Sequence, residues 1–221
     1  MLLLSHSNIR FVDANQDDLA NPFGMDEDCE HCPALVESRT QVVHGYGDVA
    51  ADFLFVGEMP DAGADESGVP FTNGPAGERL LGILRRLGLC GSPTDSTEPE
   101  LANVYLTNLT RCRHPERPPT DEEISNCEPF LNAEIRMINP EILVPVGERA
   151  LEELMVEYTT TDPDAVGLPE DHGERLRGRG FELVPMIDPA TMDDEQEDTF
   201  VHDFSALMAS DYRQTKGRRS R

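Results

Sequence analysis

The fold is decided by the stretch Phe53-Leu54-Phe55-Val56-Gly57, a short apolar run that ends in glycine. A run of this length, bounded by turn residues, is typical of a strand that is buried on both faces of a sheet. The residues that follow, 58–77, are rich in glycine, proline and aspartate and predict a loop. Residues 78–87 carry apolar side chains at helical spacing and stop at Gly88, which predicts a helix.

The same alternation of strand and helix continues along the chain. Three further apolar runs predict buried strands, and each is followed by a segment with helical features. Strands that alternate with helices usually pair in parallel, so we expect an α/β domain with a parallel sheet and helices on both faces, a three-layer α/β/α architecture. The later predicted strands cover residues 104–109, 142–147 and 181–186; the later predicted helices cover 120–138, 149–158 and 195–210; residues 159–180 are expected to form a loop.

In a parallel sheet, ligands bind beyond the carboxyl ends of the strands. The segments that begin at Glu58, Asn108 and Ile187 each leave the carboxyl end of a predicted strand. Their polar side chains are therefore expected to meet at one edge of the sheet and to form the functional site.

The charge balance bears on which partners are possible. The chain has 221 residues, 43 of them acidic and 18 basic, for a formal net charge of -25, and Lys216 is its only lysine. A surface this acidic repels phosphates, which argues against nucleic acid as a partner. In a very salty cytoplasm the Debye length falls to about 3 Å and the repulsion is screened. The near absence of lysine favours such salt adaptation over a specifically acidic binding function.

Three segments are expected along the chain. Residues 1–25 show little periodicity and predict a flexible lead-in, residues 26–210 predict one domain, and residues 211–221 form a basic tail. The tail is a candidate for phosphate contacts, with a disordered solubilising end as the alternative. No apolar run approaches about 18 residues, so no membrane span is predicted. Because no export signal is found, we expect a cytoplasmic location. We also expect the protein to be a monomer.

The cysteines predict a metal site. Cys29 and Cys32 form a Cys-x-x-Cys pair, and Cys112 and Cys127 follow later in the chain. Four thiolates at these spacings can hold a tetrahedral zinc ion or an iron–sulfur cluster, and spacing alone does not separate the two. The alternative is a set of free buried thiols in a reducing compartment. Cys90 follows the end of a predicted helix and is expected to pack in the core.

Several motifs resemble those of the family-four uracil-DNA glycosylases, in order from about residue 29 to about residue 190. The resemblance is carried by the four cysteines, by the Gly-Glu-x-Pro loop at residues 57–60 and by the Thr-Asn-x-x-x-Cys segment at residues 107–112. Further matches are Arg39-x-x-Val42-Val43-x-Gly45-x-Gly47, Gly68-x-Pro70-Phe71 and Pro140-x-Ile142-Leu143-Val144-x-Val146-Gly147.

Members of that family carry a 4Fe-4S cluster on four cysteines. The resemblance therefore implies such a cluster on Cys29, Cys32, Cys112 and Cys127, joining the N-terminal segment to the core, with zinc as the less favoured alternative. Arg111 and Arg113 flank one of these cysteines and are further candidates for phosphate contacts near the cluster.

The resemblance also implies an activity: a DNA-repair hydrolase that cleaves the N-glycosidic bond of uracil, or of a related damaged base, in DNA. Such an enzyme flips the base out of the stack, packs it on an aromatic ring and reads its polar edge with an amide. By resemblance Phe71 stacks on the base, Asn108 reads its edge, and Glu58 and Met59 line the pocket. The alternatives are a core aromatic for Phe71 and a turn residue for Asn108.

Two positions depart from the family pattern. Ala64 stands where the family has a glutamate associated with positioning the attacking water, and Asp65 beside it is the candidate to replace that group. Asp188 stands at the histidine of a His-Pro motif, which donates to the negative charge on the departing base, whereas an ionised aspartate only accepts. Asp65 and Asp188 are therefore the candidate catalytic residues.

Two other functions remain open, the first because of these departures and the second independently of the resemblance. One is a non-catalytic iron–sulfur protein that binds nucleic acid and keeps the glycosylase fold. The other is a zinc-stabilised α/β protein that acts through partners.

Overall fold

The computed structural model describes residues 18–213, which form a six-stranded sheet between two layers of helices. The strands are β1 (Tyr46–Gly47), β2 (Phe53–Gly57), β3 (Val104–Asn108), β4 (Ile142–Pro145), β5 (Leu176–Arg177) and β6 (Glu182–Leu183), and the helices are α1 (Pro33–Ser38), α2 (Ala62–Ser67), α3 (Pro75–Arg86), α4 (Asp121–Ile138), α5 (Glu148–Tyr158) and α6 (Asp194–Ala209). The strand order is β1-β3-β2-β4-β6-β5.

The sheet is parallel only in its centre. Strands β3, β2, β4 and β6 pair in parallel, with Phe53 of β2 opposite Val104 of β3 and Ile142 of β4. The outer strands β1 and β5 run antiparallel to their neighbours. The predicted parallel sheet is thus confirmed for the four central strands, whereas the two antiparallel edge strands were not predicted, because two-residue strands leave no periodic pattern in the sequence.

The helices cover both faces of the sheet, as predicted. Along β2, Phe53 and Phe55 pack against apolar side chains of α3 and α6, and every one of these side chains is fully buried or nearly so. Leu54 and Val56 point the other way and belong to the core formed with α4 and α5. Successive side chains of a strand alternate between the two faces, so each strand contributes to both cores.

The two predicted loops contain short elements. Residues 58–77 include α2, whose first turn is capped by Asp61: its Oδ1 accepts a hydrogen bond of 2.7 Å from the backbone N–H of Ala64. Residues 159–180 include a 3₁₀ turn at Pro163–Ala165 and strand β5. The small residues of α2 give no apolar stripe, which explains why the sequence pattern shows only a loop.

Part of the predicted lead-in packs against the sheet. Phe23 is 3% exposed and contacts the ring of Tyr105. The backbone N–H of Asn21 donates to Gly45 O at 3.0 Å, and the N–H of Gly47 donates to Leu19 O at 2.9 Å. Residues 18–25 therefore belong with the domain, and residues 1–17 of the predicted lead-in lie outside the described residues.

The first residues of the basic tail contact the amino end of β2. The Tyr212 hydroxyl and the Arg213 guanidinium both donate to Asp52 Oδ2, at 3.0 Å for Tyr212 Oη and for Arg213 Nε. Asp52 directly precedes β2, so the tail starts at the sheet edge opposite the carboxyl ends of the strands. Arg213 is already paired there, and the rest of the tail, residues 214–221, lies outside the described residues.

The N-terminus of α4 carries a capping box formed by Thr120 and Glu123, and the carboxylate of Glu123 makes an acid-sensitive contact there. The backbone N–H of Thr120 donates to Glu123 Oε2 at 2.8 Å, and both terminal nitrogens of Arg117 donate to the Glu123 carboxylate at 2.7 Å. Hydrogen bonds from Arg117 lower the pKa of Glu123 to about 2, against an ordinary value of 4.5. The carboxylate therefore stabilises the folded state above about pH 4.5, and this contribution is lost as the pH falls toward 2.

Replacing Glu123 with glutamine is expected to make the free energy of unfolding depend less on pH between pH 4.5 and pH 2. Wild-type protein should lose free energy of unfolding more steeply between pH 4.5 and pH 2 than the Glu123→Gln variant, as measured by urea denaturation. Glu122→Gln, which removes an exposed carboxylate from the same helical turn, is the control. Parallel pH profiles for wild type and Glu123→Gln would contradict the assignment.

Candidate active site and cysteine cavity

A cavity of about 800 Å³ opens at the carboxyl ends of β2, β3, β4 and β6; we call it the edge cavity. It lies where the chain leaves β2 toward α3 on one face of the sheet and leaves the adjacent β4 toward α5 on the other. Ligand sites of open α/β sheets form at such a divergence. The predicted site residues that line it are Glu58, Met59, Phe71, Asn108 and Asp188.

Asn108 is the most deeply buried of these residues. It ends β3 opposite Gly57 and is 2% exposed. Among residues 18–213 its side-chain Nδ2 has no hydrogen-bond partner. A buried amide without a partner loses free energy, so this donor is set up to meet an acceptor that enters the cavity.

Gly57 allows Asn108 and Phe71 to approach each other. A Cβ atom built on Gly57 would lie 2.5 Å from Asn108 Oδ1 and 2.6 Å from Phe71 Cζ, which are distances that packing does not tolerate. Only glycine fits at the end of β2 beside these two side chains. The strand therefore brings an amide and an aromatic ring together at the wall of the cavity.

Phe71 has a strained backbone. Its φ of +56° lies in the left-handed region, which bulky residues rarely adopt. The conformation is held by α3, because a Cβ atom on Gly77 would lie 2.5 Å from Phe71 O. Strain of this kind costs about 1–3 kcal/mol and collects at functional sites. Phe71 is half-buried rather than a fully packed core residue, which leaves part of its ring open to a ligand.

The edge cavity is acidic. Four carboxylates line it, and Arg149 is the one cation among the described lining residues. Arg149 is already paired outside the cavity with Asp121 at 2.5 Å and Glu153 at 2.8 Å. Burial raises the pKa of Glu58, the charge of Arg149 opposes the rise and the charge of Asp188 adds to it. The four carboxylates belong to Glu58, Asp61, Glu148 and Asp188.

Asp188 also organises the turn that follows β6. Its Oδ1 accepts from the backbone N–H of Ala190 at 2.8 Å, and its carbonyl accepts from Thr191 and Met192 at 2.9 Å. The side chain is exposed, so water reaches the carboxylate and screens its charge more than a dry pocket would.

Asp65 lies away from the edge cavity. It is 5% exposed in α2, and its two carboxylate oxygens accept from the backbone N–H of Thr40 at 3.1 and 2.9 Å. Among the described residues that line the cavity, α2 is represented by its cap Asp61, and Ala64 and Asp65 are turned inward. The prediction that Asp65 holds the attacking water finds no support in this geometry, and Asp61 was missed because the sequence showed no helix there.

Four of the five cysteines line one small cavity, which we call the cysteine cavity. It is formed by the segment before α1, the segment after β3 and the middle of α4, and its cysteines are Cys29, Cys32, Cys112 and Cys127. Cys90 lies elsewhere, in the core beside α3, as predicted. All five are free thiols. The cysteine cavity ties the N-terminal segment to the core.

Side-chain nitrogens point at two of these sulfurs. Arg39 Nη1 donates to Cys112 Sγ at 3.2 Å, and Asn126 Nδ2 donates to Cys32 Sγ at 3.5 Å. Burial raises the pKa of Cys127 to about 11 and raises those of Cys32 and Cys112, for which the two donors partly offset the rise. Buried thiols become thiolates when a bound cation compensates the charge.

Within residues 18–213, no three His, Cys, Asp or Glu side chains are placed to hold one metal ion. The four cysteines nevertheless share one cavity, and four thiolates are a donor set that both zinc ions and iron–sulfur clusters use.

Arg111 links the two cavities. Its side chain is 1% exposed, its Nη1 donates to the carbonyl of Asn108, and its Nη2 donates to Glu134 Oε2 at 2.7 Å. Glu134 is fully buried and also accepts from the hydroxyls of Thr107 and Tyr105. The expectation that Arg111 contacts phosphates is wrong, because a basic residue in the sequence does not reveal a buried acidic partner from another element.

Known proteins are similar in sequence to this chain over half of its length or more. The family model of the uracil DNA glycosylase superfamily matches residues 44–206. A type-4 uracil-DNA glycosylase of Pyrobaculum aerophilum is 34% identical over 179 residues, which are 79% of this chain and 84% of that protein. A type-4 uracil-DNA glycosylase of Thermotoga maritima is 40% identical over 124 residues, 56% of this chain and 58% of that protein.

A type-5 uracil-DNA glycosylase of Pyrobaculum aerophilum is 27% identical over 183 residues, 74% of this chain and 79% of that protein. The match to the Thermotoga protein spans less than two thirds of that relative's length. In the described part of the chain, no helix combines the length and the apolar character that crossing a membrane demands.

Proposed function

Because the chain belongs to the uracil DNA glycosylase superfamily, we propose that it is a DNA-repair hydrolase that cleaves the N-glycosidic bond of uracil, or of a related damaged base, in DNA. The observation that carries the proposal is the meeting of Asn108 and Phe71 at the edge cavity, since a flipped base needs a polar reader beside an aromatic surface.

Each part of the reaction has a group available in the edge cavity. Phe71 stacks on the flipped base, an interaction worth about 1–3 kcal/mol. The buried Nδ2 of Asn108 donates to a carbonyl oxygen of the base. The bond between C1′ and the base nitrogen breaks, its electron pair leaves with the base, and water adds to C1′. Asp61 and Glu58 are carboxylates that line the cavity and can accept the proton of that water.

Uracil departs as an anion, and the groups around it do not favour negative charge. Asp188 stands where a donor is needed, and the loss of one such donor costs about 10²–10³ in rate. We therefore propose that uracil is released more slowly than by relatives with histidine at this position.

A 4Fe-4S cluster on Cys29, Cys32, Cys112 and Cys127 is part of the proposal. The chemistry of the donor set supports it: four thiols share one cavity, and N–H groups of Arg39 and Asn126 point at two sulfurs. The cluster would hold the N-terminal segment against α4, with no part in the hydrolysis. Zinc stays the less favoured group because the related type-4 family resembles this chain in its four cysteines.

The second candidate function is a non-catalytic nucleic-acid-binding protein of the same family. It is favoured by Asp188 in place of a donor and by the inward position of Ala64 and Asp65. DNA is the partner in both cases. The monomeric state, the cytoplasmic location and the salt-adapted origin stay predictions from the sequence.

The test of the proposed function is release of uracil from a synthetic oligonucleotide. Single-stranded and double-stranded substrates are compared at low and high salt, and abasic sites are counted after alkaline cleavage. We expect slow, protein-dependent cleavage at the uracil, with tighter DNA binding at the salt concentration where the charge of -25 is screened. DNA binding without any base release would support the non-catalytic candidate instead.

A further inference from the structure

We propose that the preferred substrate of the edge cavity is a DNA base that carries a fixed positive charge and a carbonyl oxygen, the chemistry of an N7-alkylated guanine. The inference rests on the proposed function, because it assumes that the site cleaves N-glycosidic bonds. It names the class of base that the site takes.

The charge of the cavity is the first argument. Four carboxylates line it, those of Glu58, Asp61, Glu148 and Asp188. Arg149 is the one cation among the described lining residues, and it is paired with Asp121 and Glu153, so the lining is negative overall. A base that enters with a positive charge lowers the electrostatic free energy of these carboxylates, which line one cavity. Burial raises the pKa of Glu58, and the charge of Asp188 adds to that rise. A neutral pyrimidine does not lower the electrostatic free energy of the carboxylates in this way.

The leaving group is the second argument. Uracil leaves with the electron pair of the C1′–N bond as an anion, which the carboxylates repel and Asp188 does not stabilise. An N7-alkylated guanine is a cation in DNA, and the same electron pair, left on N9, converts it into a neutral base. Water adds to C1′ and gives its proton to a carboxylate or to solvent. This reaction needs no donor at position 188.

The recognition groups are the third argument, and they do not depend on the acidic residues. Phe71 offers part of its ring to the cavity, and a cation over an aromatic ring is attracted by the ring's quadrupole. Asn108 is 2% exposed, and its Nδ2, without a partner in residues 18–213, requires an acceptor. The O6 carbonyl of the guanine supplies one. A volume of about 800 Å³ accepts a bicyclic base.

The test compares two duplexes that differ in one base. One carries N7-methylguanine and the other uracil at the same position, and the free base is quantified by mass spectrometry after subtraction of spontaneous loss. For the wild type we expect release of N7-methylguanine at least about tenfold faster than release of uracil, one tenfold step being 1.36 kcal/mol in the barrier.

Two variants test whether the charge within the edge cavity causes the preference for N7-methylguanine. Asp188→Asn keeps an acceptor for the N–H of Ala190 and removes one charge from the cavity, so the preference for N7-methylguanine should fall about tenfold. Asp95→Asn removes an equal charge from an exposed loop and should leave the preference unchanged. Glu58→Gln is the second cavity variant, should Asp188→Asn fold poorly.

The outcomes are distinct. Release of uracil as fast as or faster than N7-methylguanine would overturn the inference and leave the proposed function standing. Release of neither base would overturn both. An equal fall in preference for Asp95→Asn and Asp188→Asn would show that overall charge, and not the cavity, selects the base, and would also overturn the inference.

Discussion

Replacing Asp188 with histidine is expected to raise the rate of uracil release about 10²-fold, the typical effect of restoring one donor to a developing anion. The variant also removes a like charge. At about 4 Å that repulsion amounts to about 1 kcal/mol in water and about 4 kcal/mol at an effective dielectric constant of about 20. Because the side chain is exposed, we place the effect nearer the lower value. The measurement is the single-turnover rate on uracil-containing DNA.

The variant Asp188→Ala separates the two contributions, since it removes the charge without adding a donor. Its rate should lie between those of the wild type and Asp188→His. A wild type that releases uracil rapidly, and is slowed by the histidine, would show instead that the Asp188 carboxylate assists the reaction, for example by stabilising the positive charge that develops on the sugar.

Replacing Cys112 with serine is expected to have the largest effect on stability. The residue lies in the cysteine cavity with the cysteines of the N-terminal segment and of α4, and a metal group that binds only the folded chain adds its binding free energy to folding. A loss of about 5 kcal/mol would lower the thermal midpoint by about 10–20 °C in a chain of this size. Calorimetry and the visible absorption at about 400 nm, typical of a protein-bound iron–sulfur cluster, are the measurements.

Cys90→Ser is the matched control, because Cys90 lies in the core beside α3, away from the cysteine cavity. It should keep the visible absorption and bound iron while losing only a modest part of its stability. Full absorption in Cys112→Ser, or its loss in Cys90→Ser, would contradict the ligand assignment. A colourless protein that contains one zinc per chain would favour the zinc alternative.

The central strands and the long helices could be predicted because burial imposes a pattern on them. Phe53 to Gly57 is apolar throughout, since β2 is covered on both faces. The start of α4 is indicated by Thr120 and Glu123, which have the spacing of a capping box. Strands β1 and β5 and helix α2 could not be predicted. They are too short to be periodic, and their place is fixed by neighbours such as β3 and β6.

The position of the site was predictable for residues that directly follow strands. Asn108 and Glu58 lie at the ends of β3 and β2, so the parallel arrangement alone brings them to one edge. Asp65 does not line the edge cavity, because the six-residue helix α2 and its cap Asp61, which the sequence did not reveal, place its carboxylate against Thr40. Arg111 was misread because its partner Glu134 lies in α4, and only packing brings the two together.

The most direct test of the central claim compares base release by the wild type and by Asn108→Ala. Asn108 is the buried reader of the edge cavity, so its loss should reduce release of uracil and of N7-methylguanine at least about 10²-fold while binding to undamaged DNA stays within about twofold. Asn132→Ala, in α4 and outside both the edge cavity and the cysteine cavity, is the control and should retain its activity. Equal base release by the wild type and Asn108→Ala would contradict the account.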